Sequence, residues 1–302
     1  KQMIEGNIDS QPDILLNTQD ELAEVVKSFN NIALELVKTH QEINELNHRL
    51  KSENLRMSAE LYVTHRIQEM ILPKDSELKK IDDLDLAGFM LPANEVGGDY
   101  YDVMQHNGMI KIGMGDVTGH GLESGVLMIM VQTAVRTLLA NDQTDPVKIL
   151  TIVNKIIYEN VQRMQSDKNL TLVLLDYIDE FLYISGQHEE TIIVRNTGKV
   201  ERIDTIDLGF PIGLDEDISH LIDSTKIKLD QGDVVVLYTD GITEAENMNK
   251  ELYGLDRLIN IVKENYDQKA EKIRKAVIND LHSHIGAQTI YDDITLLVIK
   301  KK

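Results

Sequence analysis

Several aspartates stand where apolar stretches of the sequence end, a position suited to metal chemistry. Asp116 follows a stretch in which Ile110, Ile112 and Met114 alternate with smaller or polar residues, which predicts a β-strand with Asp116 on its apolar face. No Lys or Arg lies within four residues of Asp116. A carboxylate in such a place is costly unless a cation neutralises it. Asp116 either caps the following turn or binds a metal ion.

Three further aspartates share this setting. Asp240 ends the apolar run 234–239, and Asp292 precedes the apolar run 294–299. Both runs are apolar on both faces, as expected of central strands. Asp99 directly follows a pair of glycines. Carboxylates gathered at strand ends without matching cations are typical of proteins that hold Mg²⁺ or Mn²⁺, which prefer oxygen ligands and keep several waters.

Composition excludes several classes of function. The 302 residues carry a formal net charge of −20, which argues against nucleic-acid partners and against binding to anionic membrane surfaces. The sequence has no Cys, so disulfides, thiolate zinc sites and a cysteine nucleophile are excluded. No uncharged apolar run approaches the length of a transmembrane helix, and the first residues lack the apolar core of a signal peptide.

Four sequence motifs contain these aspartates: Val96-Gly97-Gly98-Asp99-Tyr100-Tyr101-Asp102, Gly115-Asp116-Val117-Thr118-Gly119-His120-Gly121, Tyr238-Thr239-Asp240-Gly241-Ile242-Thr243-Glu244 and Asp292-Asp293-Ile294-Thr295. In their order and spacing, the motifs resemble the SpoIIE/RsbU branch of the metal-dependent protein phosphatases (PPM, 2C-like). The resemblance covers about residues 62–302. It implies a hydrolase acting on phosphoserine or phosphothreonine in bacterial signalling, with two Mn²⁺ or Mg²⁺ ions as cofactors.

The resemblance also implies the metal ligands. Asp116 would bridge both ions, and the Val117 carbonyl would bind one of them. Asp240 and Asp292 would hold the other ion. Asp99 would lie beside the cluster, either as a ligand through water or as an orienting base. Asp293 competes with Asp292 for the ligand role, and strand alternation favours Asp292, with its neighbour on the opposite face.

Two further residues are candidates for work on the substrate. His120 is either a general acid for the leaving alkoxide or a packed turn residue. Asn94 stands five residues before Asp99, where many 2C-like enzymes carry a phosphate-binding Arg, so phosphate is expected to be held mainly by the metal ions. His188 is interpreted as part of a structural strand end.

The N-terminal part has the pattern of a coiled coil. Leu22, Phe29, Leu36, Ile43, Leu50 and Met57 recur at seven-residue steps. This predicts a parallel homodimer, with one amphipathic helix on a globular core as the alternative. Three segments also resemble the later half of a HAMP signalling domain, which implies that the parent protein is membrane-anchored upstream of Lys1: Gly6-Asn7-Ile8-Asp9, Asp20-Glu21-Leu22-Ala23-Glu24-Val25 and Phe29-Asn30-Asn31-Ile32-Ala33.

Together these patterns predict an α+β protein with two domains. Residues 1–72 would form a partial HAMP-like segment and a signalling helix, which Pro73 ends. Residues 73–302 would form the phosphatase domain, for which the resemblance implies an α-β-β-α sandwich. The expected substrate is a phosphorylated STAS (anti-anti-sigma-type) protein in the cytoplasm. The alternatives are a degenerate phosphatase that only binds a partner and a phosphatase of small molecules.

Overall fold

The computed structural model describes residues 21–93, 97–119 and 121–302. The chain divides into two units, Lys1–Glu60 and Leu61–Lys302. The predicted domain boundary after residue 72 stays a prediction. The described helices are α1 Glu21–Ile71, α2 Asp75–Leu78, α3 Leu122–Ala140, α4 Pro146–Met164, α5 Asp240–Thr243, α6 Leu255–Asn265 and α7 Ala270–Ile285. The described strands are β1 Leu84–Leu91, β2 Tyr100–His106, β3 Met109–Val117, β4 Leu170–Ile178, β5 Phe181–Gln187, β6 Thr191–Val194, β7 Val200–Ile203, β8 Ser224–Lys228, β9 Val234–Tyr238 and β10 Ile294–Lys301.

The second unit is a sandwich of two antiparallel sheets with a helical layer on each outer side. Sheet A has the strand order β1-β10-β9-β6-β7, and sheet B has the order β2-β3-β4-β5-β8. One apolar cluster, which includes Ile112 and Leu297, fills the space between the sheets. A second cluster joins sheet A to α6 and α7, and a third joins sheet B to α3 and α4. The predicted α+β class and four-layer sandwich are confirmed.

Local sequence signals explain several boundaries. Asn107 and Gly108 both have positive φ angles, of 48° and 82°, so the β2–β3 hairpin turns where the Asn-Gly pair predicts. Asp145 begins α4 because its carboxylate accepts hydrogen bonds from the Val147 and Lys148 backbone N–H groups. Pro146 follows at the first helical position, where its missing N–H costs nothing.

The first unit, in its described part, consists of the N-terminal portion of α1. The predicted heptad residues from Phe29 to Met57 are exposed, Phe29 by 50% and Met57 by 57%. Gly6–Asp9 of the HAMP resemblance lie outside the described residues, and the HAMP assignment stays a prediction.

The helix α3 has the length and apolar composition of a membrane span, unlike the other helices of the described ranges. In the sandwich it is a core helix, since Leu127, Val131 and Val135 are buried in the cluster beneath sheet B. Buried helices of soluble domains meet the same criterion of length and composition.

Candidate active site

The antiparallel register brings the four predicted strand-end aspartates to one end of the sandwich. In sheet B, Tyr100 pairs with Gly115, so Asp99 before β2 lies next to Asp116 at the end of β3. In sheet A, Tyr238 pairs with Leu296, so the end of β9 meets the start of β10. Asp240 and Asp292 flank that pair of strand ends.

Asp99 connects the two sheets at this end. Its side chain is 1% exposed and accepts hydrogen bonds from the Thr239 hydroxyl at 2.9 Å and from the Thr295 hydroxyl. The Thr295 backbone N–H in turn donates to the Thr239 hydroxyl at 3.1 Å. Thr295 in β10 of sheet A and Thr239, directly after β9, therefore fix the orientation of a carboxylate that directly precedes β2 of sheet B.

Asp293 holds the loop that carries Asp99. Its carboxylate accepts hydrogen bonds from the backbone N–H groups of Ala93 at 2.8 Å, Gly98 at 2.6 Å and Asp99 at 3.4 Å. Asp293 is 2% exposed, whereas its neighbour Asp292 is exposed to solvent. The two adjacent carboxylates therefore have different surroundings, and that of Asp293 is already hydrogen-bonded to backbone N–H groups.

Two glycines allow the segments of the site to approach each other. A Cβ atom on Gly98 would lie 2.7 Å from the Val117 carbonyl oxygen, and one on Gly241 would lie 2.0 Å from the Asp293 carbonyl oxygen. Neither glycine has a positive φ angle. These two positions therefore require the absence of a side chain and not a left-handed backbone conformation.

Burial, and after it repulsion between carboxylates, raises the pKa values of the cluster. Burial, followed by repulsion from Asp116 and Asp293, raises the pKa of Asp99 well above its usual value, against the opposing effect of the threonine hydroxyls. Burial and then repulsion from Asp240 and Asp292 raise the pKa of Asp116. The pKa of Asp240 is raised by burial and then by Asp292 and Glu244.

Buried carboxylates elsewhere in the sandwich have a cationic partner. Asp102 pairs with Arg136 at 2.6 Å, and Asp176 pairs with Lys111 at 2.5 Å. Asp233 pairs with Arg195 at 2.8 Å. Across the described ranges, the aspartates of the cluster make no ion pair: Asp99, Asp116, Asp240, Asp292 and Asp293. In the part of the chain that the structure describes, this cluster therefore gathers carboxylates that have no cationic partner.

The donor set fits hard divalent cations. Its groups are carboxylate and carbonyl oxygens, which Mg²⁺ and Mn²⁺ prefer. In the conformation of the described residues, no three His, Asp or Glu side chains form a compact metal-binding group. Mg²⁺ sites use water for much of their coordination, so a closed cage of side chains is not required.

Some residues were not anticipated as parts of the site. The Lys168 ammonium donates to the Thr118 carbonyl oxygen at 2.8 Å and so supports the turn after β3. Thr239 and Thr295 lie close in sequence to the predicted metal ligands. A hydroxyl next to or within a buried apolar strand needs a hydrogen-bond partner, so these two threonines could have been recognised as candidates from the sequence. Asn94 and His120 lie outside the described residues, so their predicted roles stay predictions.

His188 has the structural surroundings expected of a strand end. Its Nε2 lies 3.0 Å from the Tyr238 carbonyl oxygen, and its Nδ1 lies 2.7 Å from the Thr171 hydroxyl. Because a carbonyl only accepts, Nε2 carries the proton and Nδ1 accepts from Thr171. Burial lowers the pKa of His188 to about 4, against the opposing effect of the Tyr238 carbonyl.

Comparison with known proteins places this geometry in a family. The profile of the family described as Stage II sporulation protein E (SpoIIE) matches residues 106–302. The phosphoserine phosphatase RsbU of Bacillus subtilis is 25% identical over 296 residues, which is 97% of this chain and 82% of RsbU. Protein IcfG of Synechocystis is 26% identical over 94% of this chain but only 46% of its own length.

A solved structure shares the fold. The SiaA-PP2C domain of Pseudomonas aeruginosa superposes with a TM-score of 0.70 at 20% identity, over 83% of this chain and 99% of that domain. The shared fold and the match of the family profile to most of the chain agree with the motifs that surround the aspartate cluster. The chain therefore belongs to the SpoIIE family, among the RsbU-type, PP2C-like serine/threonine phosphatases.

Proposed function

We propose that this chain is a Mn²⁺- or Mg²⁺-dependent phosphatase that removes phosphate from serine or threonine of a protein partner. One observation carries the proposal: five aspartates that make no ion pair with any described residue gather at one end of the sandwich, while Asp102, Asp176 and Asp233 each have a cation. A protein that merely stabilised its core would neutralise or remove such charges.

The proposed ligand roles are those that the family resemblance implies. Asp116, the Val117 carbonyl, Asp240 and Asp292 would hold two ions, with Asp99 beside them. Asp292 is preferred over Asp293 because three backbone N–H groups already occupy the Asp293 carboxylate. Divalent ions, when bound, neutralise phosphoryl oxygens and lower the pKa of a bound water.

Other groups of the chain would position the reaction. The Thr239 and Thr295 hydroxyls keep Asp99 in one orientation, in which it could orient a water or accept a proton. His120 is proposed as the general acid for the leaving alkoxide. Asn94 is proposed to contact the phosphate, with less affinity than an Arg at that position would supply.

We propose a phosphorylated STAS-type signalling protein as the substrate. The support is the relationship to RsbU, which aligns with this chain over 97% of the chain. The exposed heptad residues of α1 further support a parallel homodimer, since a stripe of exposed apolar residues of this size favours self-association.

We also propose that the N-terminal helix regulates the phosphatase. The helix α1 continues without a break to Ile71, which packs against the cluster that holds α3. Glu123 stands in the first turn of α3, shortly after Asp116 and Val117. A shift of α1 could therefore reach the metal-binding segment through the packing of α3, because packed helices switch between discrete arrangements.

The test is turnover by the purified chain. We expect hydrolysis of p-nitrophenyl phosphate with Mn²⁺ and loss of it in EDTA. A panel of phosphorylated STAS proteins, compared with phosphorylated small metabolites, identifies the substrate class. Absence of Mn²⁺-dependent hydrolysis would contradict the enzymatic assignment, and turnover of metabolites alone would contradict the protein substrate.

A further inference from the structure

A cleft of about 250 Å³ opens beside the candidate metal ligands. One wall is α5 with the loop that follows it, and the other is the segment between α7 and β10. Gly241 and Asp292 line the end of the cleft at the aspartate cluster. A phosphorylated residue whose phosphate reached the cluster would therefore bring its neighbouring residues to this cleft.

The first wall is a well-defined loop. Glu246 and Leu252 form an isolated antiparallel bridge, and the Tyr253 backbone N–H donates to the Ala245 carbonyl at 2.9 Å. The Glu244 backbone N–H donates to the Asp240 carbonyl at 2.7 Å. The loop is thus attached to the segment that carries Asp240, which gives the cleft a fixed relation to the site.

The lining combines apolar surface with negative charge. Leu252 is 57% exposed and Tyr291 is 63% exposed, so both present apolar surface to an incoming chain. Glu244, Glu246 and Asp292 contribute carboxylates, and the lining contains no Lys, Arg or His. In the described part of the chain, neither Glu244 nor Glu246 takes part in an ion pair, so their charges are available to a ligand.

The size of the cleft restricts its occupant. Pockets for small ligands usually enclose about 300–1,000 Å³, so this cleft accepts one or two side chains and not a folded domain. Its negative charge, on a chain with net charge −20, disfavours a second copy of this chain. An extended segment with a basic and an apolar residue close to its phosphoserine complements the lining.

We infer that this cleft binds the residues that flank the phosphoserine of the substrate protein and selects for a Lys or Arg among them. The inference rests on the proposed protein phosphatase activity and adds a specificity determinant to it. Glu246 is the main candidate, because it is half-buried in the wall of the cleft and is not one of the proposed metal ligands.

The experiment measures kcat/KM for phosphoserine peptides in which Arg or Glu replaces each flanking residue in turn. We expect the wild-type protein to prefer Arg over Glu by about tenfold at one or two positions, because attraction is exchanged for repulsion. Glu246→Lys should abolish or reverse that preference. The ratio of kcat/KM for the Arg peptide to that for the Glu peptide does not depend on the folded fraction, since partial unfolding of a variant lowers both values equally.

Glu264→Lys is the matched control. Glu264 is exposed on α6 and outside the cleft, and the substitution makes the same change of net charge. We expect this variant to retain the wild-type ratio. Equal rates for Arg and Glu peptides, or an unchanged ratio in Glu246→Lys, would overturn the inference. Failure of the proposed function looks different, because no phosphoserine peptide would then be hydrolysed at all, and the inference would fall with it.

Discussion

At the scale of single residues, the carboxylates of the site differ from other buried carboxylates because no described cationic side chain pairs with them. Asp102 has 0% exposure and is stabilised by two hydrogen bonds from Arg136, of 2.6 and 2.7 Å. Asp116 has no such partner in the described ranges and is repelled by Asp240 and Asp292. Removal of the charge should therefore have opposite effects on stability at Asp102 and at Asp116.

Asp116→Asn tests this contrast. Without metal, the variant should unfold at a higher temperature than the wild type, by about 2–4 °C for each kcal/mol of repulsion removed. Added Mn²⁺ should stabilise the wild type by mass action and the variant much less. Turnover should fall by roughly 100-fold or more. Thermal unfolding with EDTA and with Mn²⁺, together with p-nitrophenyl phosphate turnover, measures all three effects.

Asp102→Asn is the control for that prediction. It breaks a buried ion pair and leaves Arg136 without its partner, which should destabilise the protein by about 3–5 kcal/mol, less to the extent that Arg136 is exposed. A metal-free Asp116→Asn protein that is as destabilised as Asp102→Asn would mean that Asp116 is a structural residue.

His188 makes a separate, pH-dependent contribution. Its pKa in the folded protein is about 4, below the usual value of 6.5, so the folded state favours the neutral ring. The stabilisation is complete above pH 6.5 and is lost as the pH falls from there through about 4. The loss should be on the order of 2 kcal/mol.

The measurement is the difference in unfolding free energy between wild type and His188→Gln as a function of pH. Gln retains a donor for the Tyr238 carbonyl but does not titrate. We expect the advantage of the wild type to shrink between pH 6.5 and 4. A difference independent of pH would contradict the prediction, because it would mean that the pKa of His188 is the same in the folded and unfolded states. The aspartate cluster is the same in both proteins, so its effect on the pH dependence of stability cancels in the difference.

At the scale of elements, the site depends on how closely the chain segments approach. The segment that begins α5 packs directly against the segment before β10, where Gly241 faces the Asp293 carbonyl. Because Asp240 and Asp292 belong to these two segments, their separation is set by a glycine.

Gly241→Ala should widen that separation. A Cβ atom at 2.0 Å from the Asp293 carbonyl oxygen cannot be accommodated without a backbone shift. The expected cost in stability is about 1–3 kcal/mol, with a marked loss of Mn²⁺ affinity. Ile242→Val is the control, because it costs about 0.5–1.5 kcal/mol at a buried position without pushing the segments apart. Denaturant unfolding and Mn²⁺ titration distinguish the two, and equal Mn²⁺ affinity in both variants would contradict the prediction.

The apolar patterns predicted the strand before Asp116, the strands next to Asp240 and Asp292 and the long N-terminal helix, because these patterns are strong. Helix α4 begins after Asp145, whose carboxylate caps it, and the β2–β3 hairpin turns at Asn107 and Gly108, which readily adopt positive φ angles. Strand β7, residues Val200–Ile203, was not anticipated, since it is short and mostly half-buried and gains its place by pairing with β6. The role of Asp293 was also not readable, because its hydrogen bonds reach Ala93 and Gly98, about two hundred residues earlier. Long-range partners of this kind are fixed only by the packed fold.

At the scale of the whole molecule, the chain combines a sandwich with a long helix that leaves apolar residues exposed. Val25, Ile32 and Leu46 fill the companion heptad position, and their exposures are 65%, 63% and 58%. Thr39 takes the same position between them. Such a stripe favours a parallel coiled coil, in which rotation of the helix pair is transmitted along its length.

Insertions between Leu50 and Met57 test whether that rotation matters. In a helix each added residue rotates everything that follows by about 100°, whereas seven residues return the apolar stripe nearly to its original phase. We expect insertions of one to three residues to change turnover sharply, and an insertion of seven residues to restore it. Turnover of p-nitrophenyl phosphate, Mn²⁺ affinity and the oligomeric state should be measured for each variant. If every insertion leaves turnover and Mn²⁺ affinity unchanged while the protein stays dimeric, the helix serves only to dimerise the chain. If the wild-type chain is monomeric, the coiled-coil proposal itself is wrong.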